Sequence, residues 1–320
     1  APPRGRRRAA GRFWAGVVLA LIRHPACRRH ENGPGHPESP ARLEAVEAGL
    51  ERELVARGLA EWLEAPAAAD EDLLRVHTAA HLDRLRRTDR AGGGVLDADT
   101  AMGPGSLEAA WRAAGAAVLA AERALGGAGP AFCAVRPPGH HATPGRAMGF
   151  CLLNNAAVAA RTALERLGAE RVLIVDWDVH HGNGTADAFR TEPRVRYVSI
   201  HQSPWYPGTG GCDDIGAGNL FHVPCPPSLP PSAYTKALLG AVDLALTGFA
   251  PSLVVFSAGF DALRGDPLAG FTWEPEDYAR LTRSVLERAG RPAALSVLEG
   301  GYDPPRVAEA AVRHAAALAG

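Results

Sequence analysis

Lysine is almost missing from this chain: of 34 basic residues only Lys236 is a lysine, and the rest are arginine. No function follows from that bias. The glycine-rich stretch GTGG at 208–211 comes with no strand-turn-helix phosphate loop and its lysine, so it is expected to be a turn. Excess charge is missing too. With 35 acidic residues against the 34 basic ones, there is no electrostatic footprint for nucleic acid or a membrane surface. The five cysteines, Cys27, Cys133, Cys151, Cys212 and Cys225, include no C-x-x-C pair, which argues against a disulfide framework or a thiolate zinc site and for a reducing, cytoplasmic setting. Long apolar runs are also lacking. The stretch Phe13 to Ile22, behind the arginines of the amino terminus, is too short to cross a bilayer, and Arg23 and His24 follow it without a small-residue cleavage site. It reads as a first buried strand behind a loose basic tail at residues 1–15, with the body of the protein at 16–320. No internal repeat or low-complexity linker divides the chain.

What is present is apolar material, 47% of 320 residues, enough for a sizeable core. Apolar runs of strand length alternate with helical segments rich in Ala, Leu and Arg, the pattern of a largely parallel sheet with helices on both faces. Helices are expected at 40–53, 105–125, 155–167, 232–248, 275–289 and 305–318. Strands are expected at 131–135, 171–175, 195–200, 252–256 and 293–298. These five lead in turn into RPPGHHA, DWDVHHGNG, HQSPWYPGTGG, SAGFDA and EGGYDP, each with glycine or proline and at least one reactive group. In open parallel sheets the loops at the carboxyl ends of the strands converge on a crevice, so five distant segments point at one site.

The densest chemistry lies in VLIVDWDVHHGNGT, residues 172–185. In an extended segment Asp176, Asp178 and His180 share one side, and Trp177 and Val179 take the other. Two oxygens and an imidazole suit a divalent ion of borderline softness, and three protein ligands with an open position define a catalytic zinc. If one of the two aspartates stands behind the ligands, Asp261 in SAGFDA is the obvious third. The pair His140-His141 in PPGHHA lacks ligand spacing and suits general acid–base work on a water, provided a neighbour orients each ring; Asp176 and Asn183 are the candidates. Tyr302, behind two glycines, can donate to a developing oxyanion. The stretch HTAAH, His77 to His81, has the helical spacing of a zinc pair but lacks the glutamate that metalloproteases need after the first histidine. His181 is expected to point away and hold the loop, and Cys151 to be a small packing residue.

Six segments in order, GPGHPESPARLEA, RPPGHHA, GFCLLNN, DWDVHHGNGT, SAGFDA and LEGGYD, resemble the zinc-dependent histone deacetylases and their bacterial relatives, from about His24 to the carboxyl terminus. The likeness is to the class II branch, which includes histone deacetylase-like amidohydrolases and acetylpolyamine amidohydrolases. The resemblance implies a single α/β domain of the arginase/deacetylase type and zinc-dependent hydrolysis of N-acyl amides of the acetyl-lysine kind. It implies Asp178, His180 and Asp261 as zinc ligands, Asp176 orienting His140, Asn183 orienting His141, and Tyr302 on the carbonyl oxygen. His141 would take the proton of the attacking water and pass it to the leaving amine. Structural potassium is implied at Asp176 with carbonyls around Asp178, His180, Ser199 and Ile200, and at a second site near Phe189 and Val195. Gly149 falls with Phe150 at the substrate site, where Phe150 and Tyr206 resemble the aromatic walls of an acyl-lysine tunnel. Asp99 resembles the rim aspartate that accepts from substrate amides, and Arg42 the arginine deep in an acetate-release channel.

Departures from some relatives sharpen this expectation. Tyr302 is present where weakly active class II members carry another residue. Leu268 stands where a polyamine-selective relative places a glutamate, with Glu274 close by but off that position, and Asn183 replaces an aspartate seen in class I. The expected partner is an acylated lysine peptide or protein, or an acylated small amine, and self-association stays open. Acetylpolyamine hydrolysis is a second reading. A zinc-binding scaffold without catalysis is a third, against which the filled catalytic positions speak. An arginase-like pair of manganese ions would need further carboxylate and histidine ligands.

Overall fold

Runs such as LALI, VLIVD and LVVFSA are buried along their whole length rather than alternating, and only a sheet covered on both faces can bury both sides of a strand. A computed structural model describes residues 18–320, so the tail expected at 1–15 lies outside the described residues. The strands among the described residues are β1 (Leu19–Arg23), β2 (Ala60–Glu64), β3 (Gly94–Asp97), β4 (Thr100–Met102), β5 (Ala131–Cys133), β6 (Val172–Asp176), β7 (Val195–Gln202), β8 (Leu220–Cys225), β9 (Leu253–Ala258) and β10 (Ala293–Leu298). Eight of them form one sheet in the order β2-β1-β5-β10-β9-β6-β7-β8, every pairing parallel. The other two, β3 and β4, make a short antiparallel hairpin.

The helices are α1 (Pro40–Leu50), α2 (Asp70–Leu74), α3 (Ala79–Arg90), α4 (Ser106–Leu125), α5 (Asn155–Glu165), α6 (Asn183–Phe189), α7 (Pro231–Leu246), α8 (Pro275–Arg288) and α9 (Pro304–Ala319). Two groups cover the sheet: α4 packs with α5, while α1, α9, α8 and α7 lie in a row. The ends follow local chemistry. Asp303 caps α9 by accepting from the Arg306 amide, and Pro304 opens it where a missing N–H costs nothing. Thr78 caps α3, which leaves His77 outside the helix and dissolves the helical spacing of HTAAH. There His77 accepts from the Asn154 amide and donates to the Thr143 carbonyl, while His81 donates to Leu152, so both rings fasten loops.

The six expected helices appear, with 40–53 divided into α1 and a π-helical turn at Glu51–Val55. The expected strands appear as β5, β6, β7, β9 and β10, and the start of the sheet as β1. Four strands were absent from the expectation: β2, β8 and the hairpin strands. Each is part-exposed or interrupted by polar groups, because β2 and β8 are the sheet edges and the hairpin stands outside it. No helix among the described residues is long and apolar enough to cross a membrane.

Candidate active site

The four strands β5, β10, β9 and β6 are neighbours at the middle of the sheet, and their carboxyl ends deliver His140 and His141, Tyr302, Asp261, and Asp178 with His180. Asp178, His180 and Asp261 are buried, with one ligand atom from each lying within 4.8 Å of the others. The His180 Nδ1 sits 3.1 Å from Asp178 Oδ1 and 3.0 Å from Asp261 Oδ2. Backbone amides aim the carboxylates: Gly300 donates to Asp178 Oδ2 at 2.9 Å, and Val179 to Asp261 Oδ1 at 2.8 Å. Two acids in so dry a place call for a cation. Burial and the Asp178 charge push Asp261 up to about 7. Burial disfavours His180 as an imidazolium, yet its bonds to Asp178 and Asp261 outweigh that and lift it to about 10. In the protein alone a proton on His180 is the neutralising charge. A divalent ion would take the place of that proton, and the oxygen–nitrogen donor set of Asp178, His180 and Asp261 fits zinc.

Asp176 stands behind this trio. Its carboxylate accepts from the Asp178 amide at 3.1 Å, from the Tyr197 hydroxyl at 2.8 Å and from His140 Nδ1 at 3.1 Å. Burial works against a charged His140, but Asp178 and Asp176 reverse that and raise it to about 10. His141 is different. Its Nδ1 donates to Asn183 Oδ1 at 2.8 Å, which leaves Nε2 free to accept, and burial together with the His140 and His180 rings pushes it well below its ordinary value. Adjacent rings 4.0 Å apart thus differ in charge at neutral pH. Burial drives the Tyr302 phenol far above its usual value, so it remains a donor.

A pocket of about 220 Å³ leads to these groups. Phe150, Tyr206, Asp99, Trp205 and Leu268 line it together with His140, His141, His180 and Tyr302. The Phe150 backbone has φ 68°, a left-handed conformation, after Gly149 at 55°. The β3–β4 hairpin holds that turn: Gly149 donates to Asp99 Oδ1 at 3.1 Å and Phe150 to Thr100 Oγ1 at 2.9 Å. Arg42 is wholly buried, donating to Glu38, to the Glu299 carbonyl and to the Gly301 carbonyl, with its guanidinium 5.0 Å from the Tyr302 ring. Glu274 lies away from the pocket, bonded to Arg264 and Arg306. His181 turns from the trio to Thr209, at 2.8 Å. Ser199 is the register partner of Asp176 across β6 and β7, and Ile200 follows it, buried.

Two acids escaped the sequence reading. Glu299 accepts from the amides of Gly139 and His140 at 2.6 and 3.1 Å and from the Ser257 hydroxyl at 2.8 Å, so it fastens the histidine loop. Asp266 accepts from the Tyr302 amide at 2.7 Å and from Leu268 at 2.9 Å. Glu299 opens EGGYDP, and a carboxylate at a buried strand end was the available signal. Asp266 sits in a loop that gives none.

Over residues 36–318 the chain matches the family described as "Histone deacetylase domain". The chain belongs to the histone deacetylase family. Within it, the histone deacetylase-like amidohydrolase of Pseudomonas aeruginosa is 40% identical over 296 residues, covering 89% of this chain and 76% of that one. A probable deacetylase of Methanothermobacter thermautotrophicus is 39% identical over 293 residues, covering 89% and 86%. A solved structure titled "Crystal Structure of HDA15 HD domain" superposes with a TM-score of 0.90 at 37% identity, covering 94% of this chain and 91% of that one. The histone deacetylase fold therefore extends over most of the chain.

Proposed function

We propose that this member of the histone deacetylase family is a zinc-dependent deacylase that cleaves acyl-lysine-type amides to a carboxylate and a free amine. One observation carries the reading: four adjacent strand ends set a buried Asp-His-Asp donor trio, a neutral histidine with a free Nε2 and a protonated phenol around one narrow pocket. Zinc held by Asp178, His180 and Asp261 would supply a Lewis acid for the amide carbonyl and the attacking water. His141 Nε2 takes the proton of that water and returns it to the departing amine, while Asn183 keeps the ring in the accepting tautomer. Tyr302 donates to the carbonyl oxygen as charge gathers there. His140, paired with Asp176, adds positive charge nearby.

Phe150 and Tyr206 enclose the aliphatic stem, Gly149 keeps the turn close to His141, and Asp99 presents its carboxylate at the rim. Leu268 in the pocket lining, and Glu274 engaged elsewhere, favour an acyl-lysine peptide over an acylated polyamine. Arg42, with its guanidinium 5.0 Å from the Tyr302 ring, is the proposed arginine of an acetate-release path. Asp176, Ser199 and Ile200 are the proposed seat of a structural potassium. Five unpaired cysteines support a reducing, cytoplasmic setting. The deciding measurement compares kcat/KM for an acetyl-lysine peptide and acetylputrescine, in zinc-loaded and metal-stripped protein. Turnover that needs zinc and favours the peptide is expected; full activity without metal discards the mechanism, and a polyamine preference discards the substrate.

A further inference from the structure

Three backbone carbonyls at the turn between α6 and β7 point at a single side-chain atom. The amide nitrogen of Asn219 lies 2.8 Å from the Phe189 carbonyl oxygen, 3.2 Å from that of Glu192 and 3.1 Å from that of Val195. Its oxygen accepts from the Ala217 amide at 3.0 Å, and the residue is 2% exposed. Those partners fix the orientation of the side chain: three acceptors need a donor, and the N–H of Ala217 needs an acceptor.

A cluster of convergent carbonyl oxygens is the coordination offered to a hard or monovalent cation, and Phe189 and Val195 are the positions where the sequence resemblance implied a second potassium. We infer that the Asn219 amide takes the place of that ion in this chain, so that the turn between α6 and β7 is held without a cation. The surrounding charge agrees. Arg161 donates to the Ala188 carbonyl at 2.8 Å and to the Glu192 carboxylate at 2.9 Å, and lies 4.9 Å from the Phe189 ring. A further cation would face that guanidinium, with the nearest carboxylate already paired. A neutral amide supplies two N–H donors to the carbonyls without taking an ion out of water. The inference goes beyond the catalytic reading and is independent of it.

Crystals grown in rubidium chloride locate a monovalent ion by its anomalous signal, and thermal unfolding in potassium chloride against choline chloride at equal ionic strength reads its contribution. Wild-type protein is expected to show no rubidium among the carbonyls of Phe189, Glu192 and Val195. Asn219→Ala orphans those carbonyls and is expected to lower Tm by roughly 3–6 °C in choline chloride. Potassium should restore at least half of that loss, with rubidium now bound at the turn. A rubidium peak there in wild type overturns the inference, as does an Asn219→Ala loss that potassium leaves unchanged. If the alanine variant does not fold, Asn219→Asp puts a carboxylate in the amide's place; its stability should depend on potassium more steeply than wild type does, and equal dependence overturns the proposal.

Discussion

His140 and His141 are chain neighbours and both buried, yet their surroundings drive them apart. The carboxylates of Asp178 and Asp176 overcome burial and hold the His140 proton, while His141 has only the neutral Asn183 behind it and two imidazoles in front. A base has to be neutral before it can accept, so on the mechanism proposed above activity falls as pH drops through the His141 pKa, and a depressed pKa keeps activity at lower pH. Asn183→Asp tests this directly. A carboxylate 2.8 Å from Nδ1 favours the imidazolium, so the acidic limb of kcat/KM should move up by about 1 pH unit, with zinc still bound. A profile identical to wild type would remove His141 from the role of base.

At the scale of elements, glycine at the strand exits decides how closely the ends of β6, β9 and β10 approach. A Cβ on Gly259, just past β9, would lie 2.1 Å from Asp178 Oδ2 and 2.6 Å from the Asp178 Cα; one on Gly300, just past β10, would meet both Asp261 and Asp178 oxygens. Because the Gly259 clash includes backbone, rotation of a side chain cannot relieve it. Gly259→Ala should weaken zinc binding about 10- to 100-fold in competition with a chelator, and an unchanged affinity would show that β6 and β9 can separate without cost to the trio. These exits were the legible part of the chain. SAGFDA, EGGYDP and DWDVHHGNG each end an unbroken apolar run, and the structure brings them to one place. Asp266 was illegible for the opposite reason. It lies on a loop with no apolar run to mark it, and its link to the site is the Tyr302 amide, far away in sequence. The edge strands β2 and β8 were hidden similarly, since a half-exposed strand carries no continuous apolar signal.

For the whole molecule, sequence implies a parallel sheet but not its order: β9 and β10, late in the chain, insert between β5 and β6, and no periodicity records which strand lies beside which. Burial by that sheet and its helices also sets the response to acid. His30, His201 and His222 are pushed down to about 4, and His77 and His314 to about 3, in each case chiefly by burial. His314 is the simplest of them. Thr282 gives its proton to the Tyr278 carbonyl, so His314 Nδ1 donates to Thr282 and Nε2 accepts from Ser296 at 2.8 Å, among the rings of Trp177 and Phe256 and with no charged partner. A folded pKa below the unfolded value means that below about pH 6.5 the unfolded chain binds protons that the native state refuses, and stability falls as pH falls. Asp261, Glu299 and Asp266, raised chiefly by burial to about 7, about 7 and about 6, and His140 and His180, raised to about 10 by their carboxylate neighbours, act the other way, gaining stability on acidification, but they are outnumbered by the lowered histidines, which also include His81, His141 and His181. Glu38, held down to about 2 by Arg136 and Arg42 against its burial, begins to add to the loss near pH 4.5, where the unfolded chain takes up its proton, and does so chiefly below that. Denaturant unfolding between pH 7 and pH 4 should therefore show a steady loss of stability. His314→Gln, with no proton to gain in this range, should lose less over the same interval, by up to about 3 kcal/mol. Parallel pH profiles for the two proteins would mean that His314 takes up its proton in the folded state.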